Sequence, residues 1–301
     1  MKNSRRFFPN GVQHIYQRAN DKGVIFYDDI DRLVYFTIDS VMARRYGITV
    51  LGSSVMFTHL HKTAIVEKKR QMSKYIQDTG SVFSRAYNCR HGREGNLFQP
   101  RFGSSSKTEL KKIRHVIAYQ YNNHTEKGLC KHPMEQRWCF LAYAKSGHPF
   151  SKQIDYENIS GKLNRALKLI DHRVGKGHYL KYSLVQFIFD SLSAEEWEQF
   201  LDYTISKYMF IDFAKAASYF GSFEAMLLAF DAISGAENNL KEDYDSFPDT
   251  DYVRIGEIFR QKGWPYRKIF ESPVDKRKIL TTELHLKRGI NYYAAAKYLH
   301  I

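Results

Sequence analysis

Cysteine is scarce: three residues in 301, at positions 89, 130 and 139. An odd number at wide spacing excludes a disulfide framework and fits a reducing, cytoplasmic setting. No apolar run reaches the roughly 18 residues that a bilayer-spanning helix needs. The opening MKNSRRFFPNGVQ lacks the apolar centre of an export signal. Acid is what the first half lacks. Residues 1–150 hold 25 Lys and Arg against 11 Asp and Glu, residues 201–250 reverse this at 3 against 9, and residues 251–301 return to 11 against 5. Aromatic residues, by contrast, make up 15% of the chain, which excludes general disorder. Segregated positive charge among aromatics suits a polyanion with exposed bases, and a plain solvated basic surface is the alternative.

Hydrophobic periodicity gives the order of elements. Val12–Arg18 alternates as a strand. Asp28 and Asp29 cap a helix whose apolar residues run from Ile30 to Met42 and which Gly47 closes. Ile48–Met56 and Thr58–Val66 read as two further strands, and a helix starts near Glu67. Leu97–Phe102 reads as a short fourth strand, whose Pro100 favours an edge position or a bulge. Serines 104–106 then cap a helix expected over Lys107–Asn123. The expected fold is α+β: a ferredoxin-like βαββαβ antiparallel sheet with an extra active-site helix, followed by an all-helical C-terminal domain. The corresponding domains are 1–135, a connection over 136–155, and 156–301, which contains an acidic loop at 235–250.

The sharpest local pattern is Thr58-His59-Leu60-His61. Side chains alternate along a strand, so His59 and His61 share a face and, about 7 Å apart, can both reach one metal ion; two half-exposed strand histidines are the alternative. In the helix over 107–123, Leu110, Ile113, Ile117 and Tyr121 form a core stripe. Lys111, His115, Tyr119 and Asn123 recur at four-residue steps on another face. Asn is a legitimate oxygen ligand for a hard cation, and helix C-capping is its alternative role here. A tyrosine one turn from it on a basic face is what a phosphoryl-transfer nucleophile beside a metal ligand would look like.

These residues carry a resemblance. His59-Leu60-His61 matches the His-hydrophobic-His motif of the HUH single-strand nucleases. Tyr119 through Asn123, followed by Lys127-Gly128-Leu129, resembles their segment of Tyr, three residues, Asn-Pro, a basic residue and Gly-Leu. Gly95-Asn96-Leu97-Phe98-Gln99-Pro100-Arg101-Phe102 is similar to the segment that precedes that helix. His14, Asn20-Asp21-Lys22 and Ile25-Phe26 resemble the opening. Over residues 8–130 the chain resembles the REP-associated tyrosine transposases, relatives of the single-tyrosine insertion-sequence transposases. Thr58 stands where Asn usually precedes the first His, and His124 where Pro usually follows Asn123.

The resemblance implies a metal-dependent endonuclease and strand transferase acting on single-stranded palindromic repeat hairpins. Tyr119 would be the catalytic nucleophile, passing through a 5′-phosphotyrosine. His59, His61 and Asn123 would hold Mg²⁺ or Mn²⁺. Arg5, Arg6, Arg18, Lys62, Arg101, Lys107, Lys111, Lys112 and Arg114 are the expected DNA contacts. A monomer is favoured over a homodimer, in the bacterial cytoplasm beside the nucleoid. A domesticated hairpin binder that regulates without cutting is the alternative. An RNA-binding use of the same scaffold is disfavoured by the lack of a Lys/Arg-Gly-Phe strand motif. Val274–Arg288 and Tyr292–Ile301 resemble the start of a helix-turn-helix; packing alone is the other reading of these helices.

Overall fold

The computed structural model describes residues 7–232 and 247–301. Arg5 and Arg6, and most of the acidic stretch expected at 235–250, lie outside the described residues. The architecture is α+β. Strands β1 (Val12–Arg18), β2 (Thr49–Val55), β3 (His59–Ile65) and β4 (Gly103–Lys107) form one sheet in the order β2-β3-β1-β4, every neighbouring pair antiparallel. Helix α1 (Asp29–Arg45) joins β1 to β2, and α2 (Lys69–His91) joins β3 to β4. Helix α3 (Leu110–Glu126) follows β4 and packs against β2 and β3.

β4 is not where the pattern of apolar residues put it. Leu97–Phe102 makes only an isolated bridge, Ala19 to Phe98. The serines expected to cap a helix are the strand itself, with Ser104, Ser105 and Ser106 opposite Ile15, His14 and Gln13. Pro100 cannot donate to a ladder, whereas each serine keeps its N–H. The following helix therefore starts at Leu110, which is 49% exposed, and its first turn stands clear of the core.

Helix α1 is buried on all sides from Ile30 to Ala43. A helix so enclosed needs partners for its polar residues, and they are present. Asp28 caps it by accepting from Asp31 N at 2.8 Å. Asp31 accepts from Arg90 at 2.7 Å and from the Tyr182 hydroxyl at 2.8 Å. Asp39 takes an ion pair with Lys62 at 2.5 Å.

The second half is helical: α4 (Gly161–Gly175), α5 (Tyr182–Ser191), α6 (Ala194–Tyr208), α7 (Phe213–Ser218), α8 (Phe223–Ala232), α9 (Thr250–Gln261), α10 (Arg267–Glu271), α11 (Val274–Arg288) and α12 (Tyr292–Tyr298). One hydrophobic core runs from Ile15 in β1, through α1 and α2, to Leu299. The segment expected as a connection contributes to it, since Trp138 to Tyr143 are all buried and Phe140 stacks on Phe36 at 4.5 Å. The last helix closes back on the first half. Val24 N donates to Lys297 O at 3.2 Å, and the Tyr27 hydroxyl donates to Tyr298 O at 3.0 Å. α12 thus packs, with Ala294, Ala295 and Tyr298 buried.

Candidate active site

Opposite residues of an antiparallel ladder point to the same face. Arg18 lies opposite His59, Tyr16 opposite His61, and His14 opposite Thr63. Ser54 and Gly52 of β2 continue these rows, as do Gly103 and Ser105 of β4. One sheet face thus gathers His14, Tyr16, Arg18, His59 and His61. Tight spots in the chain keep this face close-packed. The Tyr16 ring lies on Gly103, where an added Cβ would meet it at 1.9 Å. A Cβ on Gly52 would meet Gln120 Oε1 of α3 at 1.9 Å.

Helix α3 lies over this face. Ser54 Oγ donates to Gln120 O at 2.7 Å, and the Tyr121 hydroxyl donates to Leu51 O at 2.9 Å. On its far side Asn122 donates to Phe230 O at 2.7 Å and Tyr121 stacks on Phe230 at 5.3 Å. The expected polar row is therefore split: Tyr119 and Asn123 are buried, His115 is half-buried and Lys111 is exposed. Tyr119, placed on an open face by periodicity, is 1% exposed. Its ring stands edge-on to His14 and to His61, each at 5.8 Å.

The histidines form a contiguous group. His59 and His61 are perpendicular with centroids 4.9 Å apart. His61 Nδ1 is 3.1 Å from His14 Nε2, and His59 Nδ1 is 2.9 Å from Thr58 Oγ1. Burial, reinforced by Arg18, pulls the His61 imidazolium down to about 3. His59 is lowered by burial first, then by His61, Arg18, Lys127 and His124. Both rings are therefore neutral lone-pair donors near pH 7. The permanent cations that act on His59, Arg18 and Lys127, suit a site for phosphate.

Asn123 is 5% exposed and does not cap the helix. The cap is Lys127, followed by left-handed Gly128 at φ 72°. The Asn123 amide nitrogen donates to the Tyr119 and Gln120 carbonyls at 2.9 and 3.1 Å. Both of these bonds use the amide nitrogen and neither uses the side-chain oxygen. Two neutral imidazoles and a carboxamide oxygen fit a divalent cation in chemical type. Among the described residues no three His, Cys, Asp or Glu side chains are grouped to hold a metal, so such a cation would depend on Asn123 as third ligand.

The expected DNA contacts divide. Arg101, Lys111 and Lys112 are exposed, and Lys112 pairs with Glu109 at 2.5 Å. Arg18 and Lys107 are half-buried at strand ends, Arg18 with its guanidinium 5.7 Å from the Tyr16 ring. Lys62 is a correction. Alternation puts it on the opposite sheet face from His61, 1% exposed, bonded to Asp39 and to the Tyr75 hydroxyl at 3.1 Å. Arg114 is a second correction, since its Nε donates to Tyr219 O at 2.6 Å and it serves the packing of the loop after α7.

Two further histidines stand near the site without a role implied by the motifs, His14 and His124. His124 is 2% exposed, 3.3 Å from Val55 O through Nε2, and lowered to about 3 by burial first. Strand alternation alone could have put His14 on the right face once the β1–β3 pairing was known. A crevice of about 1150 Å³ elsewhere, lined by Tyr27, Arg32, Trp197 and Tyr266 among others, includes none of these residues; Phe57, two positions before His59, is on its lining.

No protein-family model and no curated protein matches the chain. Among solved structures, one of a REP-associated tyrosine transposase bound to a REP hairpin aligns at 19% identity and a TM-score of 0.41, over 53% of this chain and 96% of that one. None of the described helices is long and apolar enough to cross a membrane.

Proposed function

We propose that the chain is a single-strand DNA endonuclease and strand transferase acting on palindromic hairpins through Tyr119, with the chemistry in residues 1–135. One observation carries the reading: Tyr119 stands edge-on, at 5.8 Å each, to His14 and His61, and the His61 ring is in turn 4.9 Å from that of His59. The sheet order β2-β3-β1-β4 is the one a ferredoxin-like scaffold requires and agrees with the motif resemblance.

In this reading the Tyr119 oxygen attacks a backbone phosphorus. The phenol loses its proton as the O–P bond forms and the P–O3′ bond breaks, leaving a 5′-phosphotyrosine and a 3′-hydroxyl. The covalent bond keeps the phosphodiester energy, so rejoining needs no ATP. His59, His61 and Asn123 would hold Mg²⁺ or Mn²⁺, which when bound neutralises charge on the transferring phosphoryl group. Arg18, Lys127 and the exposed lysines of α3 would hold the strand by its phosphates.

A second reading, a hairpin-binding regulator that does not cut, is favoured by the 1% exposure of Tyr119. A phosphate reaches that oxygen only if neighbouring side chains move. Denaturing electrophoresis after incubation with labelled hairpin DNA and Mn²⁺ separates the two. A covalent protein–DNA band, absent in Tyr119→Phe, supports the enzyme; tight binding without a band supports the regulator.

A further inference from the structure

We propose that His14 is a positioning residue: it accepts a hydrogen bond from His61 Nδ1–H and so holds His61 in the tautomer whose Nε2 lone pair is open to a cation. The cation's part in this rests on the metal reading above; the tautomer itself is a property of the metal-free protein.

The geometry leaves two arrangements. His14 Nε2 and His61 Nδ1 are 3.1 Å apart, with the rings 3° from parallel and their centroids 5.3 Å apart, so they meet edge to edge. Both are fully buried. A bond between two neutral imidazoles needs one donor and one acceptor. If His14 donates, His61 carries its proton on Nε2, and that nitrogen has no lone pair to offer. If His61 donates, its Nε2 is bare. Only the second agrees with His61 as a ligand.

Histidines that hold metals usually give their other N–H to a carboxylate, a carbonyl or water. Here a second imidazole occupies that position. β1 explains why. His14 is one pleat along from Tyr16, the residue opposite His61, so it reaches His61 diagonally across the ladder. Thr58 has the corresponding place at His59, its hydroxyl 2.9 Å from Nδ1. Threonine before the first histidine, one of the departures from the family pattern, thereby supplies a group that can accept from His59 Nδ1–H and leave Nε2 bare. The same edge-to-edge pair forms the wall against which the Tyr119 ring stands. A turned His61 would therefore disturb the nucleophile as well.

The test uses the full chain labelled with ¹⁵N-histidine, without metal, at pH 7. Long-range ¹H–¹⁵N correlation spectra should show both His14 and His61 protonated on Nδ1, with signals assigned by their loss in His14→Gln and His61→Gln. His61 protonated on Nε2 overturns the proposal. Glutamine at 14 keeps an acceptor oxygen near the former Nε2, so His14→Gln should retain the His61 tautomer. His14→Phe removes the acceptor, should shift His61 toward Nε2–H, and should weaken Mn²⁺ binding in titration calorimetry by roughly 10–100-fold, the usual cost of losing such a partner. Unchanged Mn²⁺ affinity in a folded His14→Phe contradicts the proposal. Expected tautomers in a wild type that binds no Mn²⁺ would support the orienting bond while removing the metal reading.

Discussion

Tyr119 and Tyr121 sit two residues apart on one helix and are both buried, yet they face different neighbours. Tyr121 packs on Phe230 and donates to Leu51 O, so Tyr121→Phe should cost about 1–3 kcal/mol in denaturant unfolding by stranding that carbonyl. It should leave adduct formation largely intact. Lys62 is a similar case of position overriding residue type. A lysine immediately after a histidine motif invites a DNA role, but strand alternation sends it to Asp39 in the interior. Lys62→Met leaves Asp39 buried and uncompensated, and should cost about 3–5 kcal/mol. A normally stable Lys62→Met with weakened DNA binding would contradict this placement. Protonation belongs to the same scale. His61 and His124 are each lowered to about 3, against about 6.5 for a free imidazole. Below that value the unfolded chain binds more protons than the native one. The stability these groups contribute is present above pH 6.5 and is lost as pH falls toward 3, at about 1.4 kcal/mol per pH unit per group. Thermal melts should therefore drop from pH 7.5 to 5.5, and less steeply in His124→Asn. A melting temperature flat across that range would count against buried neutral histidines.

Among the elements, β1, α1, β2, β3 and α2 were legible because apolar spacing marks each, and in α1 the Asp28 cap agrees with it. β4 was not, since Gly103-Ser104-Ser105-Ser106-Lys107 has no apolar residue and is a strand only because β1 offers an edge. The run from Trp138 to Tyr143 reads as linker because its two short 3₁₀ turns have no sustained period. For the site, the histidine pair and the two residues of α3 could be read from spacing. The burial of Tyr119 could not, because the rings it meets, His14 and His61, come from strands about 105 and 58 residues earlier in the chain. The seat of α3 has one sharp point, Gly52. In Gly52→Val the side chain would collide with Gln120, and overpacking of this kind typically costs about 1–3 kcal/mol. Stability and adduct formation should fall together. A Gly52→Val protein with normal stability and normal adduct yield would mean that α3 is not positioned by this contact.

Across the whole molecule, charge divides more cleanly than packing. The first half carries the basic excess, but α1 is enclosed by α5 and α6 as well as by α2 and the sheet. A fragment ending near residue 150 should therefore be insoluble or molten, although the chemistry is proposed to lie within it. In the full chain, hairpin affinity should fall steeply with salt, with a log–log slope of about −0.7 for each single-strand phosphate neutralised. Reversing Lys111 and Lys112 to Glu should flatten that slope. A salt-independent affinity would move recognition away from the basic face. The central claim is that Tyr119 becomes joined to DNA, and one measurement reads it directly. The full chain is incubated with a hairpin oligonucleotide and Mn²⁺, then digested with protease and nuclease, and the nucleotide-bearing peptide is sequenced by mass spectrometry. The account predicts a 5′-phosphonucleotide on Tyr119. A nucleotide on Tyr121 or any other residue, or a hairpin cut without any modified peptide, would contradict it.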